Sequence, residues 1–216
     1  MAYNAILFDL DGTLLNTLED LADATNRALA RSGVPAHPLD AYKYFVGDGM
    51  KNLILRALPE GRRDDGTLAK TMAAFQEEYA RNWADKTVPY PGVPELLDAV
   101  TERGVPKVVL SNKPHEFTKL CVAKLLPKWS FAVVQGVSDT NPKKPDPAGA
   151  LAIAVGLGIG PAEFLYVGDT NTDMKTATAA GMFPVGVTWG FRPASELLAH
   201  GAKALVHHPA ELLELL

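Results

Sequence analysis

The spacing of apolar and polar residues changes along the chain. The run from Ala5 to Leu10 is apolar except at Asp9, which predicts a buried strand. From Thr17 onward apolar residues recur at helical intervals. Thr17 to Asp20 has the spacing of a capping box, and Gly33 marks the end of the first helix. No strand is predicted between residue 17 and about residue 85.

After the turn-forming segment Pro89 to Gly92, short apolar runs alternate with helical patterns. The predicted strands are Val108–Leu110, Phe131–Val134, Phe164–Val167, Phe183–Val187 and Ala204–Val206. The helical patterns include Glu116–Leu126, Pro147–Val155 and a helix that ends at Gly181. This alternation is typical of βαβ units, so it predicts a parallel sheet with helices on both faces.

The predicted fold class is therefore α/β, with a doubly wound, Rossmann-like parallel sheet that an all-helical segment interrupts after the first strand. We expect residues 1–16 and 88–216 to form the α/β core and residues 17–87 to form a separate helical domain.

Composition narrows the possible partners. Hydrophobic residues make up 47% and charged residues 21% of the 216 residues, as in ordinary globular proteins. The formal net charge of -4 provides no basic field for nucleic acid. No apolar run approaches the roughly 20 residues of a membrane span, so we expect a cytoplasmic protein. The single cysteine, Cys121, suits a reducing compartment and is interpreted as a core residue.

Polar side chains collect where the predicted strands end, which is where open α/β sheets bind ligands. They are Asp9 and Asp11 after the first strand, Ser111, Asn112 and Lys113 after the next, Asp169 and Asp173 after Phe164–Val167, and Lys143 and Lys144 in a proline-rich loop. Each has an ordinary alternative. Asp11, Asp169, Ser111 or Asn112 could cap a helix or form a turn, and the two lysines could be solvated.

Together these residues predict a site for an anion held by a metal. Clustered carboxylates suit Mg²⁺, which commonly shares its oxygen ligands with substrate phosphate. A lysine would neutralise the remaining phosphate charge, Ser111 and Asn112 could donate hydrogen bonds, and Gly12 permits close approach of the backbone. An aspartate can attack phosphorus while a neighbouring acid protonates the leaving oxygen.

The chain resembles the haloacid dehalogenase-like hydrolase superfamily in four segments that occur in the family's order: Asp9–Thr13, Ser111–Lys113, Lys144–Pro147 and Gly168–Asp173. The resemblance implies that Asp9 is the nucleophile and Asp11 the general acid/base. It implies Ser111 and Asn112 as phosphoryl ligands, and Lys144, rather than Lys143, as the stabilising cation.

The same resemblance implies a Mg²⁺ site. Its ligands would be the side chain of Asp9, the backbone carbonyl of Asp11 and the side chain of Asp169, with Asp173 acting through water or orienting the others. The dehalogenases of the superfamily lack an acid at the position of Asp11, because a halide leaves without a proton. An alkoxide that leaves phosphorus benefits from an acid, so the resemblance at Asp11 implies a phosphatase.

The helical segment 17–87 resembles the cap domain of one large branch of the superfamily. Caps of this kind close over the site and contact the leaving group. The segment from Tyr44 to Lys51 is similar to the cap loop of phosphoglycolate phosphatases and implies Gly47 and Lys51 as substrate residues. A plain turn between two helices is the alternative.

We expect a Mg²⁺-dependent phosphatase that acts on a small phosphorylated metabolite through an aspartyl phosphate. The leading candidate substrate is 2-phosphoglycolate. The alternatives are a sugar-phosphate or nucleotide phosphatase, a pyrophosphatase and a β-phosphoglucomutase-like mutase. A phospho-acceptor receiver domain needs neither Asp11 nor a cap. We expect no nucleic-acid or membrane partner and either a monomer or a homodimer.

Overall fold

The computed structural model describes residues 3–216, which divide into two compact units. One unit comprises the residues up to Leu15 together with Pro89–Leu216, and the other comprises Asn16–Val88.

The strands, in chain order, are β1 (Ala5–Phe8), β2 (Leu15–Asn16), β3 (Val88–Pro89), β4 (Lys107–Pro114), β5 (Val133–Val137), β6 (Phe164–Gly168), β7 (Phe183–Val187) and β8 (Ala204–Val206). Six of them form one sheet in the order β5-β4-β1-β6-β7-β8, and all the neighbouring strands are parallel. The predicted doubly wound parallel sheet is thus confirmed. Strands β2 and β3 pair separately where the chain passes between the two units.

The helices of the sheet-containing unit are α5 (Val93–Glu102), α6 (His115–Leu125), α7 (Ala148–Leu157), α8 (Asn171–Ala180) and α9 (Ala194–Ala199), numbered after the four helices of the other unit. One face of the sheet packs Leu7, Val108 and Tyr166 into a core that includes Ala150 from α7 and Ala177 from α8. The central strands are buried along their whole length, as the continuous apolar runs predicted.

Two predicted strand boundaries were wrong. Strand β4 continues past Leu110 to Pro114, because the polar residues that follow Leu110 remain extended, with a shift in pairing register between Leu110 and Pro114. Strand β5 begins at Val133 rather than at Phe131 and continues through Gly136 to Val137. The register shift in β4 marks a β-bulge or irregularity. Bulges re-aim side chains beside functional sites.

The second unit contains α1 (Leu18–Arg31), α2 (Leu39–Phe45), α3 (Met50–Ala57) and α4 (Asp65–Asn82), together with a short 3₁₀ turn. The capping box predicted at Thr17 was wrong, since Thr17 provides no side-chain cap to α1. The carboxylate of Asp20 instead accepts hydrogen bonds from the backbone N–H groups of Lys86 and Thr87 and from the hydroxyl of Thr87. Its bonding partners are distant in sequence, which local spacing does not reveal.

Within residues 3–216, no helix has both the length and the apolar character that a membrane span requires.

Candidate active site

The carboxyl ends of three adjacent strands bring the candidate residues together. Phe8 at the end of β1 is in register with Val109 of β4 on one side and with Val167 of β6 on the other. The next residue, Asp9, donates its backbone N–H to the carbonyl of Val167 at 2.9 Å. Residues just beyond Phe8, Val109 and Val167 therefore start from the same level at one edge of the sheet.

A tight loop after β1 sets the positions of Asp9 and Asp11. The carbonyl of Leu10 accepts the backbone N–H groups of Thr13, Leu14 and Leu15, at 2.9 to 3.3 Å. Gly12 has a φ of +88°, which L residues with a side chain rarely adopt. A Cβ at Gly12 would also lie 2.7 Å from Cγ of Asp169, so only glycine permits this approach.

Three buried carboxylates, from Asp9, Asp169 and Asp173, each offer an oxygen within 4.8 Å of the other two. The ammonium of Lys144 lies 2.8 Å from Oδ1 of Asp9 and 2.6 Å from Oδ1 of Asp173. It also donates a hydrogen bond to the carbonyl of Leu110 at 3.1 Å. If all three carboxylates are ionised, the one ammonium that contacts them balances only part of their negative charge.

The pKa values of the carboxylates reflect their burial first and the neighbouring negative charge second. Burial, reinforced by the charge of Asp173, holds the pKa of Asp9 well above its ordinary value even though Lys144 opposes the shift. Burial and Asp173 raise the pKa of Asp169 to about 7. Burial alone would lower the pKa of Lys144, but Asp173 and Asp9 outweigh it and raise that pKa, so Lys144 stays charged.

Neighbouring groups hold the carboxylates of Asp169 and Asp173 in place. Asp169 accepts the hydroxyl of Thr13 at 3.0 Å and the backbone N–H of Phe191 at 2.8 Å. Oδ2 of Asp173 accepts the hydroxyl and the backbone N–H of Thr170, in a capping box that begins α8. Asp173 thus closes the first turn of α8 with one oxygen, while its other oxygen contacts Lys144.

This group of residues fits a divalent cation. Its oxygen donors are of the kind that Mg²⁺ prefers, and its remaining negative charge favours a cation. A bound cation would also offset the burial and the repulsion that together raise the pKa values of Asp9 and Asp169. The contribution of the Asp11 backbone carbonyl to such a site stays a prediction.

Asp11 belongs to a separate ion pair. The ammonium of Lys113 lies 2.8 Å from Oδ1 and 2.9 Å from Oδ2 of Asp11. The side chain of Lys113 is 5% exposed and that of Asp11 is 15% exposed. Lys113 lies in the stretch of β4 where the pairing register with β5 shifts.

Ser111 and Asn112 are both buried beside this pair. The amide of Asn112 holds the backbone of Lys144: its Nδ2 donates to the Lys144 carbonyl at 3.1 Å and its Oδ1 accepts the Lys144 N–H at 2.7 Å. Neither residue caps α6, which Pro114 precedes without a side-chain cap. Their predicted contact with phosphate stays a prediction, and Asn112 has the additional role of positioning Lys144.

The structure separates the two candidate lysines, since Lys143 is exposed whereas Lys144 is buried.

The two candidate cap residues, Gly47 and Lys51, lie in the second unit. Gly47 has a φ of +119° in the turn between α2 and α3, and Lys51 is exposed in the first turn of α3. Arg56 ties this turn together, because it pairs with Asp48 and donates to the carbonyl of Phe45. Substrate contact by Gly47 and Lys51 stays a prediction.

Sequence reasoning missed several supporting residues after β7. Trp189 donates its indole N–H to the carbonyl of Thr13 at 3.0 Å. Gly190 has no room for a side chain, because a Cβ there would lie 2.5 to 2.6 Å from the Gly12 carbonyl and from Oδ2 of Asp169. The segment Thr188 to Pro193 resembles an ordinary turn, and its position against the first loop depends on the sheet order rather than on any local signal.

Comparison with known proteins places the site in context. A family model described as haloacid dehalogenase-like hydrolase matches residues 6–187. The chain is 36% identical over 190 residues to a phosphoglycolate phosphatase of Pseudomonas putida, covering 86% of this chain and 70% of the relative. It is 34% identical to a phosphoglycolate phosphatase of Chromobacterium violaceum, covering 98% of this chain and 96% of the relative.

Solved structures agree over the whole chain. A crystal structure from Lactobacillus delbrueckii subsp. bulgaricus superposes with a TM-score of 0.94 and 30% identity, covering 99% of this chain and 98% of the other. A predicted phosphoglycolate phosphatase from Haemophilus somnus superposes with a TM-score of 0.90 and 27% identity, covering 98% of this chain and 97% of the other.

Proposed function

Because the chain belongs to the haloacid dehalogenase-like hydrolase family, we propose that it is a Mg²⁺-dependent phosphatase that hydrolyses a small phosphate monoester. We propose 2-phosphoglycolate as its preferred substrate. The substrate proposal is supported by similarity to relatives named phosphoglycolate phosphatase, one of which matches nearly end to end. The chemistry is supported by the arrangement of this chain's own residues.

One observation carries the proposal: Asp9 lies in a buried cluster with two further carboxylates and Lys144, while Asp11, two residues later, lies outside that cluster and pairs with Lys113. The two aspartates therefore have different electrostatic surroundings. Different surroundings allow one carboxylate to act as nucleophile and the other to exchange protons.

In the first step, an oxygen of Asp9 attacks phosphorus, the bond between phosphorus and the ester oxygen breaks, and Asp11 gives its proton to that oxygen. The backbone N–H of Leu10 and the ammonium of Lys144 both contact Oδ1 of Asp9, which fixes the plane of the carboxylate and orients Oδ2. In the second step, Asp11 accepts a proton from water as the water oxygen attacks phosphorus. The bond to Asp9 then breaks and releases inorganic phosphate.

Lys144 offsets the charge of the phosphoryl group in both steps, and Ser111 and Asn112 bind its oxygens. Asp9, Asp169 and the Asp11 carbonyl, with Asp173 nearby, would hold Mg²⁺, which would supply charge neutralisation when bound. Thr13 and the Phe191 N–H keep the Asp169 carboxylate in place for this role.

We propose that the second unit, Asn16–Val88, is the cap of the family, with Gly47 and Lys51 in its substrate loop. A cytoplasmic location and a monomeric or homodimeric state stay predictions.

The test is a phosphate-release screen with and without Mg²⁺ over 2-phosphoglycolate, sugar phosphates, nucleotides and pyrophosphate. The expected result is Mg²⁺-dependent release that is fastest from 2-phosphoglycolate. Equal rates on all substrates would remove the substrate assignment and keep the reaction class. Phosphoryl transfer to a sugar without phosphate release would favour the mutase, and no turnover of any ester would favour a phospho-acceptor.

A further inference from the structure

Lys113 is a second buried lysine at the candidate site, and the two chemical steps described above do not use it. Its ammonium contacts both oxygens of the Asp11 carboxylate, at 2.8 and 2.9 Å. The ring of Phe117 lies 5.7 Å from the same ammonium. Lys113 thus places a positive charge directly beside the group proposed to protonate the leaving oxygen.

Asp11 is the counterion that contacts Lys113, and the nearby thiol does not add a second one. Cys121 also lies near this ion pair, but burial raises the pKa of its thiol to about 12, so the thiol stays neutral and does not compete as a counterion. An ammonium carries three N–H donors, so it can contact Asp11 and a second anion at the same time.

The position of this charge constrains the leaving group. A general acid lies roughly 2.6 to 3.2 Å from the oxygen that it protonates, so the ester oxygen must lie close to Asp11. The ammonium of Lys113 lies at a similar distance from both oxygens of that carboxylate. In a phosphorylated 2-hydroxy acid, the carboxylate oxygens lie only about 3 Å from the ester oxygen, given ordinary bond lengths. Such a carboxylate can contact Lys113 while the ester oxygen contacts Asp11.

We propose that Lys113 binds a carboxylate on the leaving group and thereby selects phosphorylated 2-hydroxy acids over uncharged phosphate monoesters. This inference rests on the proposed phosphatase function and adds to it the residue that distinguishes substrates. It assigns part of the specificity to the sheet-containing unit rather than to residues 16–88 alone.

The experiment compares two substrates of equal length. In 2-phosphoglycolate the leaving group carries a carboxylate, and in 2-hydroxyethyl phosphate a neutral CH₂OH replaces it. Values of kcat and KM are measured for both with the wild type, Lys113→Met, Lys113→Gln and Lys113→Arg. The exposed Lys143→Met is the matched control, which removes one positive charge nearby in sequence.

The wild type should prefer 2-phosphoglycolate. Lys113→Met and Lys113→Gln should each reduce that preference in kcat/KM by about 10- to 100-fold, mainly through KM, because a charge-assisted contact is lost. Lys113→Arg should keep part of the preference and Lys143→Met all of it. Using both neutral variants guards against one that fails to fold.

Equal losses on both substrates would overturn the inference and make Lys113 only a positioning residue for Asp11. A wild type without any preference would overturn it as well. If the wild type hydrolyses neither substrate nor p-nitrophenyl phosphate, the proposed function itself fails and the inference fails with it. The two failures are therefore distinguishable.

Discussion

The ammonium of Lys144 lies 2.8 Å from Oδ1 of Asp9 and is itself almost wholly buried. The same ammonium contacts Asp173, so one cation serves two carboxylates. Lys144→Met would therefore leave a buried cluster of carboxylates without the cation that contacts it, and it would remove the charge proposed to offset the phosphoryl group. We expect kcat/KM to fall by at least about 1,000-fold and the thermal midpoint of the metal-free protein to fall as well.

The control for this change is the adjacent Lys143→Met. Because Lys143 is exposed, its replacement should leave kcat/KM within about threefold and the thermal midpoint unchanged. Steady-state kinetics and thermal unfolding of both variants decide the matter. A larger loss of activity in Lys143→Met would reverse the assignment of the two lysines.

Replacing the two aspartates separately should produce different kinetic defects. Asp9→Asn removes the proposed nucleophile and should abolish turnover and phosphoenzyme formation. Asp11→Asn should lower turnover of alkyl phosphates by about 100- to 10,000-fold through loss of acid/base catalysis. With p-nitrophenyl phosphate, whose leaving group needs little protonation, Asp11→Asn should show a burst of p-nitrophenolate followed by slow turnover, because water is no longer activated.

Rapid-mixing absorbance measurements would detect that burst. A burst in Asp9→Asn, or near-normal turnover by that variant, would contradict covalent catalysis by Asp9. Equal loss on alkyl and p-nitrophenyl phosphates without a burst would remove Asp11 from the acid/base role.

Gly12 leaves room for Asp169 in the proposed metal site. In Gly12→Ala the new Cβ would lie 2.7 Å from Cγ of Asp169, so the carboxylate must move. We expect Mg²⁺ affinity, measured from the Mg²⁺ dependence of activity and by calorimetry, to fall by at least about tenfold. Gly104→Ala is the control, since Gly104 also has a positive φ, of +66°, but a Cβ at that position would meet no atom within 4 Å. An equal effect of the two changes would mean that backbone strain alone is responsible.

Stability without metal should fall as the pH rises. Burial and Asp173 raise the pKa of Asp169 to about 7, whereas an unfolded aspartate has a pKa of about 3.9. Between these values the folded protein binds more protons than the unfolded chain, so the free energy of unfolding decreases with increasing pH. Mg²⁺ binds the ionised form and should raise the thermal midpoint more at pH 8 than at pH 5.5.

Thermal unfolding in EDTA and in excess MgCl₂ across this range is the measurement. Asp169→Asn, which cannot ionise, should give a flatter pH profile in EDTA and a smaller Mg²⁺ effect. A wild-type midpoint that rises with pH in EDTA would contradict the raised pKa.

The architecture could be predicted from the sequence because its signals are local or periodic. The continuous apolar runs at Ala5–Phe8 and Phe164–Gly168 indicate buried strands, and helical patterns between strands indicate parallel pairing. Family segments identified Asp9, Asp169 and Lys144, which the fold brings into one cluster. Order in the chain sufficed for these residues, since each directly follows a strand or lies in a loop beside one.

The details that could not be predicted depend on contacts between residues far apart in sequence. The pair of Lys113 and Asp11 depends on where the extended end of β4, with its register shift against β5, lies relative to the first loop. The hydrogen bonds from Trp189 and Phe191 depend on β7 being placed next to β6 in the sheet. Local sequence patterns contain no information on these distances.

Asp20 is the clearest case of a contact that the sequence did not predict. Its spacing from Thr17 predicted a capping box at the start of α1, whereas its carboxylate contacts Lys86 and Thr87. Its buried carboxylate accepts the N–H groups of Lys86 and Thr87 and the Thr87 hydroxyl at 2.6 Å. Asp20→Asn replaces one acceptor oxygen by an NH₂ that faces these donors, so we expect a loss of about 3 kcal/mol in the free energy of unfolding. The Thr87 amide should also exchange its hydrogen faster.

Glu19→Gln is the matched control, since Glu19 is an exposed partner of the Lys86 ammonium at 3.3 Å and exposed ion pairs contribute little. Its effect on the free energy of unfolding should stay within about 0.5 kcal/mol. Urea unfolding and hydrogen exchange of the full chain measure both variants. If Asp20→Asn and Glu19→Gln behaved alike, the contacts of Asp20 with Lys86 and Thr87 would be dispensable, and the stability of residues 16–88 would have to come from helix packing alone.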